Sequence, residues 1–161
     1  MLVVSDTSPI INLATIGHLH LLPELFTEIV IPSAVFDEIA GEGNNEPGSV
    51  EVKTASWVRV LPVPVQPLIS QLLQDLDQGE AEAIVLALDI KADYVLMDET
   101  LGRQIAVTYH LQPLGLLGIL VLAKHKGLIG AVAPLMDRLQ LEANFFIDRH
   151  LYLHIKSLAK E

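Results

Sequence analysis

Short runs of apolar and β-branched residues alternate with longer segments of helical period along this chain, and the alternation reads as strand and helix in turn. Leu2-Val3-Val4-Ser5 runs into Asp6; Glu28 to Ile31, Trp57 to Leu61 and Tyr94 to Met97 make three more strands, the last running into Asp98. Between them, Ser8 as N-cap and Pro9 at the first helical position predict a helix that Gly17 ends. Leu19 to Phe26 continues helical, and Pro32-Ser33 opens a helix over Ala34 to Ala40 that Gly41 closes. The Gly, Asn and Pro of Glu42 to Ser49 predict a loop, and Pro62, Pro64 and Pro67 force an extended connector. Further helices are expected at Leu68 to Asp75, Glu80 to Lys91, Leu101 to Tyr109, Leu116 to Lys126 and Ala133 to Leu141, with a last one from about Asp148. Strands this short and apolar, each followed by a helix start, belong to a parallel sheet covered on both faces. The expected fold is α/β, a three-layer α/β/α sandwich around a central parallel sheet, in one domain over residues 1–161.

That fold class carries a chemical expectation. Open α/β sheets bind ligands in the crevice beyond the carboxyl ends of their strands, so Asp6 and Asp98 are expected to point into one site. Asp6 has the weakest structural excuse, because Ser8 already caps the helix after it and a carboxylate at a buried strand end needs another partner. Asp98 stands before a helix that Thr100 is able to cap by itself. Glu38 lies beside Val35 and Ile39 on the inner side of a short helix, where it is either a ligand or an edge residue reaching for solvent. Asp77-Gln78-Gly79-Glu80 has capping-box spacing, yet Glu80 also precedes Ile84 and Ala87 by one and two turns and so shares the face that packs on the sheet. Glu82, Glu99, Asp77 and Asp93 read as solvent-exposed.

Composition narrows the alternatives. The apolar fraction of 51% over 161 residues is enough for a substantial core without staples. The absence of cysteine excludes a disulfide framework, a thiolate zinc site and a cysteine nucleophile. The most apolar segment, Leu114 to Ala123, is about half the length of a membrane span and reads as a buried helix. The first thirteen residues lack a basic n-region and carry Asp6 within their apolar stretch, unlike a secretory signal, so a cytoplasmic location and no membrane partner are expected. No Gly-rich phosphate loop, Gly-x-Ser-x-Gly elbow or dinucleotide fingerprint is present. His150 and His154 are four residues apart on one helix face but have no nearby third ligand, and they read as surface or packed residues.

The net charge of −10 opposes a nucleic-acid role until its distribution is considered. Residues 1–99 carry sixteen acidic and three basic side chains, whereas residues 100–161 carry four acidic and seven basic ones. A carboxylate-rich half suits hard divalent cations, and Arg103, Lys124, Lys126, Arg138, Arg149 and Lys156 are available to phosphates in the other.

Taken in order, these segments resemble the PIN-domain ribonuclease family, in particular the small prokaryotic branch typified by the toxins of toxin–antitoxin pairs. The resemblance rests on Val3-Val4-Ser5-Asp6-Thr7-Ser8, Val35-Phe36-Asp37-Glu38-Ile39, Gly79-Glu80-Ala81-Glu82-Ala83-Ile84 and Val95-Leu96-Met97-Asp98. The third acid is Glu rather than the family's more usual Asp, with Glu82 as a rival, and the fourth reads Met97-Asp98-Glu99 rather than Thr-x-Asp. The stretch Gly115 to Leu120 followed by Ala123-Lys124 looks like an uncharacterised PIN-like subfamily. The resemblance implies a Mg²⁺- or Mn²⁺-dependent endoribonuclease leaving a 5′-phosphate and a 3′-hydroxyl. Asp6, Glu80 and Asp98 would be the principal metal ligands, and Glu38 an outer-shell group or general base. Thr7, Ser8 and Arg103 would contact the RNA. It also implies a homodimer and a small antitoxin partner. The apolar helix Leu116 to Ala123 independently predicts hydrophobic surface that a second copy would cover. Two other readings stand beside this one: a non-catalytic PIN-like binding or dimerising module, and a haloacid-dehalogenase-type phosphatase, which needs a second Asp where this chain has Ser8.

Overall fold

Adjacent residues of a strand face opposite sides of its sheet, and the first strand, β1 (Leu2–Ser5), shows this in its core: Val3 belongs to one apolar cluster and Val4 to another. The computed structural model describes residues 1–161. β2 (Glu28–Pro32), β3 (Val58–Leu61), β4 (Tyr94–Leu96) and β5 (Pro113–Leu114) join β1 in a five-stranded, all-parallel sheet of order β3-β2-β1-β4-β5. Helices cover both faces, as expected from strands that are apolar on both sides. Val3, Ile29, Ile31 and Leu96 pack under α1 (Thr7–Thr15), α2 (Leu21–Phe26), α3 (Ser33–Ala40) and α4 (Ser49–Thr54). Val4, Val30, Val95 and Met97 pack under α5 (Pro67–Leu72), α6 (Gln78–Asp89) and α7 (Thr100–Thr108). The remaining helices, α8 (Leu116–His125), α9 (Ala133–Glu142) and α10 (Arg149–Leu158), extend the first layer.

In this strand order the chain leaves β1 first toward β2 and later returns to its other side as β4. The strand order reverses between them, and crevices form at such a point. Ser5 lies opposite Leu96 in the register, and the Asp6 N–H continues the ladder by donating to the Leu96 carbonyl at 2.9 Å. The backbone therefore fixes Asp6 one residue beyond the paired strand end, at the reversal.

Two short elements escape the sequence pattern. Ser49–Thr54 forms α4 at the end of the expected loop, its six residues too few to show a helical period. Pro113–Leu114 forms β5, a two-residue edge strand that begins on a proline. Two helix starts also differ. Asp6, not Ser8, occupies the N-cap position of α1, and Glu99, not Thr100, that of α7; neither uses its side chain as a cap. The apolar helix α8 buries six of its ten residues within the chain itself, so its composition is accounted for without a second copy.

Glu82 is half-buried rather than solvent-facing. Its carboxylate accepts from the Ala34 N–H at 3.2 Å and from the Gln78 side-chain amide at 2.6 Å, and so ties α6 to the first turn of α3. Glu82→Ala should cost about 1 kcal/mol, as loss of a cap does. Urea denaturation would show this as a lower midpoint with an unchanged slope.

Candidate active site

The carboxyl ends of β1 and β4 open onto a cleft of about 220 Å³ in which Ile11 is the one hydrophobic residue of the lining. Asp6, Glu38, Asp77, Glu80 and Glu99 line it together with Thr7, Ser8 and Asn12. The five acidic side chains come from four places in the fold: Asp6 follows β1, Glu38 stands on α3, Asp77 and Glu80 open α6, and Glu99 precedes α7. The fold thus brings to one cleft carboxylates that are scattered over more than ninety residues.

Asp6 is 5% exposed and occupies the cap position of α1 without a capping hydrogen bond; the Thr7 N–H is its polar neighbour, and neither carboxylate oxygen is sealed from the cleft without a partner. Burial pushes its pKa from 3.8 up to about 8, against the pull of the Thr7 N–H and with help from the charges of Asp77, Glu80 and Glu38. Glu80 is also buried, at 7% exposure, and its pKa is pushed from 4.5 up to about 7 by desolvation and by Asp77, with a further contribution from Glu99. The capping box explains how Glu80 is placed: its N–H donates to Asp77 Oδ1 at 2.8 Å, and its Oε1 accepts from the Asp77 N–H at 3.4 Å. The capping role expected of this pair does not remove Glu80 from the cleft, since Glu80 lines it with the box intact. Glu38 is held by the Thr7 hydroxyl, which donates to Oε2 at 2.6 Å.

Two glycines leave room for these carboxylates. A Cβ at Gly79 would stand 2.6 Å from Glu38 Oε1 and 3.3 Å from Asp6 Oδ1, which places both side chains against the same backbone. A Cβ at Gly102 would stand 2.9 Å from Glu80 Oε2 and 2.7 Å from Met97 Sδ. The spacing Gly79-Glu80 was visible in the sequence, but Gly102 carried no signal.

Asp98 is placed differently. One carboxylate oxygen accepts the Leu116 N–H at the start of α8 at 2.8 Å, and the other accepts the Ser8 hydroxyl at 3.4 Å. Its pKa is raised by burial and held back by the Leu116 N–H, Arg103 and Ser8. Asp98 therefore stands behind Ser8, on the α8 side, while its neighbour Glu99 lines the cleft. Arg103 follows Asp98 to that side, and a Cβ at Gly115 would collide with its guanidinium. Asp77 and Glu99 are exposed as expected, yet they form the cleft's rim, a placement the sequence did not signal. Asn12 was missed as well, although it lies one turn beyond Ser8 on α1. His150 and His154 are both exposed on α10.

An array of carboxylate oxygens is the donor set of a hard divalent cation, and Asp6 supplies a carboxylate that lines the cleft and pairs with no cationic side chain. The donor chemistry therefore fits Mg²⁺ or Mn²⁺. As arranged, no three acidic or imidazole side chains close around a common point. The hydrogen bonds on Glu38, Glu80 and Asp98 account for the splaying: each is held by Thr7, Asp77 or Leu116, and unneutralised like charges have no reason to approach.

Comparison with known proteins gives one result. Residues 2–161 match the family model described as PIN domain, DUF3368. No curated protein and no solved structure matches the chain. A match over all but the first residue, on a chain whose parallel sheet brings acidic side chains together at the reversal of strand order, shows that this protein belongs to the PIN-domain family, a family of nucleases.

Proposed function

We propose that this protein is a metal-dependent endoribonuclease, the toxin of a toxin–antitoxin pair, which hydrolyses RNA phosphodiesters in the acidic cleft. The observation that supports it most is Asp6: a carboxylate buried at the strand reversal, beside Glu38, Asp77 and Glu80, with no cation to compensate it and only the Thr7 N–H in its favour. Such a group is retained at a cost, and a bound cation repays that cost.

Asp6 and Glu80 would hold the ion, with Asp98 as a further ligand once its carboxylate turns from Leu116; Glu99 already lines the space. When bound, Mg²⁺ or Mn²⁺ supplies a water acidified to a hydroxide-like nucleophile and a positive charge beside the phosphate. Glu38 would serve as an outer-shell group or general base; the hydrogen bond from the Thr7 hydroxyl, which orients its carboxylate, supports this role. Thr7 and Ser8 occupy the first turn of α1, whose free N–H groups favour an anion such as the scissile phosphate. Cleavage leaves a 5′-phosphate and a 3′-hydroxyl. A small antitoxin protein and a second copy of the chain are the partners proposed with this role.

The test is cleavage of a single-stranded RNA by purified protein with Mn²⁺, Mg²⁺ or a chelator, with p-nitrophenyl phosphate as a control substrate. The expected result is metal-dependent RNA cleavage with no phosphatase activity. Hydrolysis of the monoester alone would support the phosphatase reading, and no cleavage of any RNA would leave a binding module.

A further inference from the structure

Nothing in the backbone asks for glycine at position 79. Gly79 is the second residue of α6, it is buried, and its φ lies outside the left-handed region. Glycine weakens a helix relative to alanine, so propensity opposes it there as well. Close packing of two helices is the remaining ordinary reason for a glycine, and it would leave backbone or apolar atoms against the missing side chain. The three atoms nearest to a Cβ at Gly79 are instead Glu38 Oε1 at 2.6 Å, Asp6 Oδ1 at 3.3 Å and Glu38 Cδ at 3.3 Å. All three belong to carboxyl groups of the cleft.

The Glu38 carboxylate is thereby fixed from two sides. The Thr7 hydroxyl donates to Oε2 at 2.6 Å, and Oε1 occupies the space that a side chain at Gly79 would need. Glu38 is otherwise an exposed residue, and a glutamate in water is free to take many rotamers. A methyl group at position 79 would have to push the carboxylate out of its place. Because that carboxylate is the free end of a flexible side chain, the displacement costs the fold little. The helix would survive and the placement of Glu38 would not.

We propose that Gly79 is a positioning residue of the cleft: the space left by its missing side chain seats the Glu38 carboxylate beside Asp6, and so sets where Glu38 stands relative to a bound cation. The consequence for the cation rests on the metal-dependent nuclease reading of the cleft; the seat itself rests on the contacts of Gly79 alone.

The experiment is a double-mutant cycle over wild type, Gly79→Ala, Glu38→Ala and the double variant, with urea midpoints in chelator and calorimetric Mn²⁺ affinity for each. In the Glu38→Ala background, alanine at position 79 is expected to raise the urea midpoint, as a better helix former does. In the wild-type background that gain should shrink or reverse, because the carboxylate is driven from the Thr7 hydroxyl. Mn²⁺ affinity should fall about tenfold in Gly79→Ala, as it does when a group that supports a metal site is displaced. Once Glu38 is gone, the same alanine should cost little further affinity. Equal midpoint changes in the two backgrounds would overturn the seat. Unfolding of Gly79→Ala that Glu38→Ala does not rescue would overturn it too, since the backbone would then need the glycine for itself. Mn²⁺ affinity of Gly79→Ala equal to that of wild type would overturn the positioning role. Coupling between positions 79 and 38 in a protein that takes up no Mn²⁺ would uphold the seat and remove the metal reading instead.

Discussion

Asp6→Asn is expected to lower metal-dependent RNA cleavage by on the order of a thousandfold, which corresponds to about 4 kcal/mol of lost stabilisation. The substitution keeps the size and polarity of the side chain and removes the buried carboxyl that a cation would ionise. Without a metal the same change should help the fold at about pH 8 and above, where Asp6 is ionised, because an amide is cheaper to bury here than a carboxylate surrounded by Glu38, Asp77 and Glu80. Mn²⁺ should raise the melting temperature of wild type by binding the native state alone, and Asp6→Asn should lose most of that rise. Thermal melts with chelator and with millimolar Mn²⁺, beside the cleavage assay, read the opposite signs of the two effects. A variant merely unfolded by the substitution would melt lower in both conditions.

Without metal, the protein should be more stable near pH 5 than near pH 8. The Asp6 carboxyl has its folded pKa raised from 3.8 to about 8, and that of Glu80 rises from 4.5 to about 7. Between the two values of each pair the native state holds a proton that the unfolded chain has released. The unfolded chain binds fewer protons there, so stability falls as pH rises through that window and levels off above about 8. For Asp6 the slope is at most about 1.4 kcal/mol per pH unit. Urea midpoints from pH 5 to 9 in chelator should fall for wild type and fall less for Asp6→Asn. Saturating Mn²⁺ should flatten or reverse the wild-type slope, since the ion takes the place of the protons. A wild-type midpoint that rises steadily with pH would contradict the burial of these carboxylates as free acids.

The sheet and most helices were legible because their signals are local. Leu2 to Ser5 and Tyr94 to Leu96 are apolar runs bounded by helix starts, and both appear as parallel strands with Asp6 and Asp98 just beyond them. Strand ends alone point Asp6 into the cleft; for Glu38 and Glu80 the helix faces leave a structural reading open, and only the family resemblance joins them to Asp6. The rest depends on rotations of single side chains about the backbone, which no spacing encodes. Asp98 and Glu99 are neighbours, yet one turns to the α8 amide and the other lines the cleft. That choice is made by Leu116, eighteen residues away, whose N–H at a helix start needs an acceptor. Glu80 and Glu82 were rivals for one role, and α3 separates them: Ala34 takes Glu82, which leaves Glu80 to the cleft. Ser8 has the sequence of a cap but sits inside the first turn of α1, because the ladder bond from Asp6 to Leu96 starts the helix two residues earlier.

The account rests on the acidic cleft being a divalent-cation site, and calorimetric titration of Mn²⁺ into the apo protein tests that most directly. Wild type is predicted to take up the ion saturably, Asp6→Asn to lose that uptake, and Glu80→Gln and Glu99→Gln to weaken it, while Glu82→Gln, whose carboxylate serves α3, binds as wild type. No uptake at millimolar Mn²⁺, or uptake by Asp6→Asn equal to that of wild type, would contradict it.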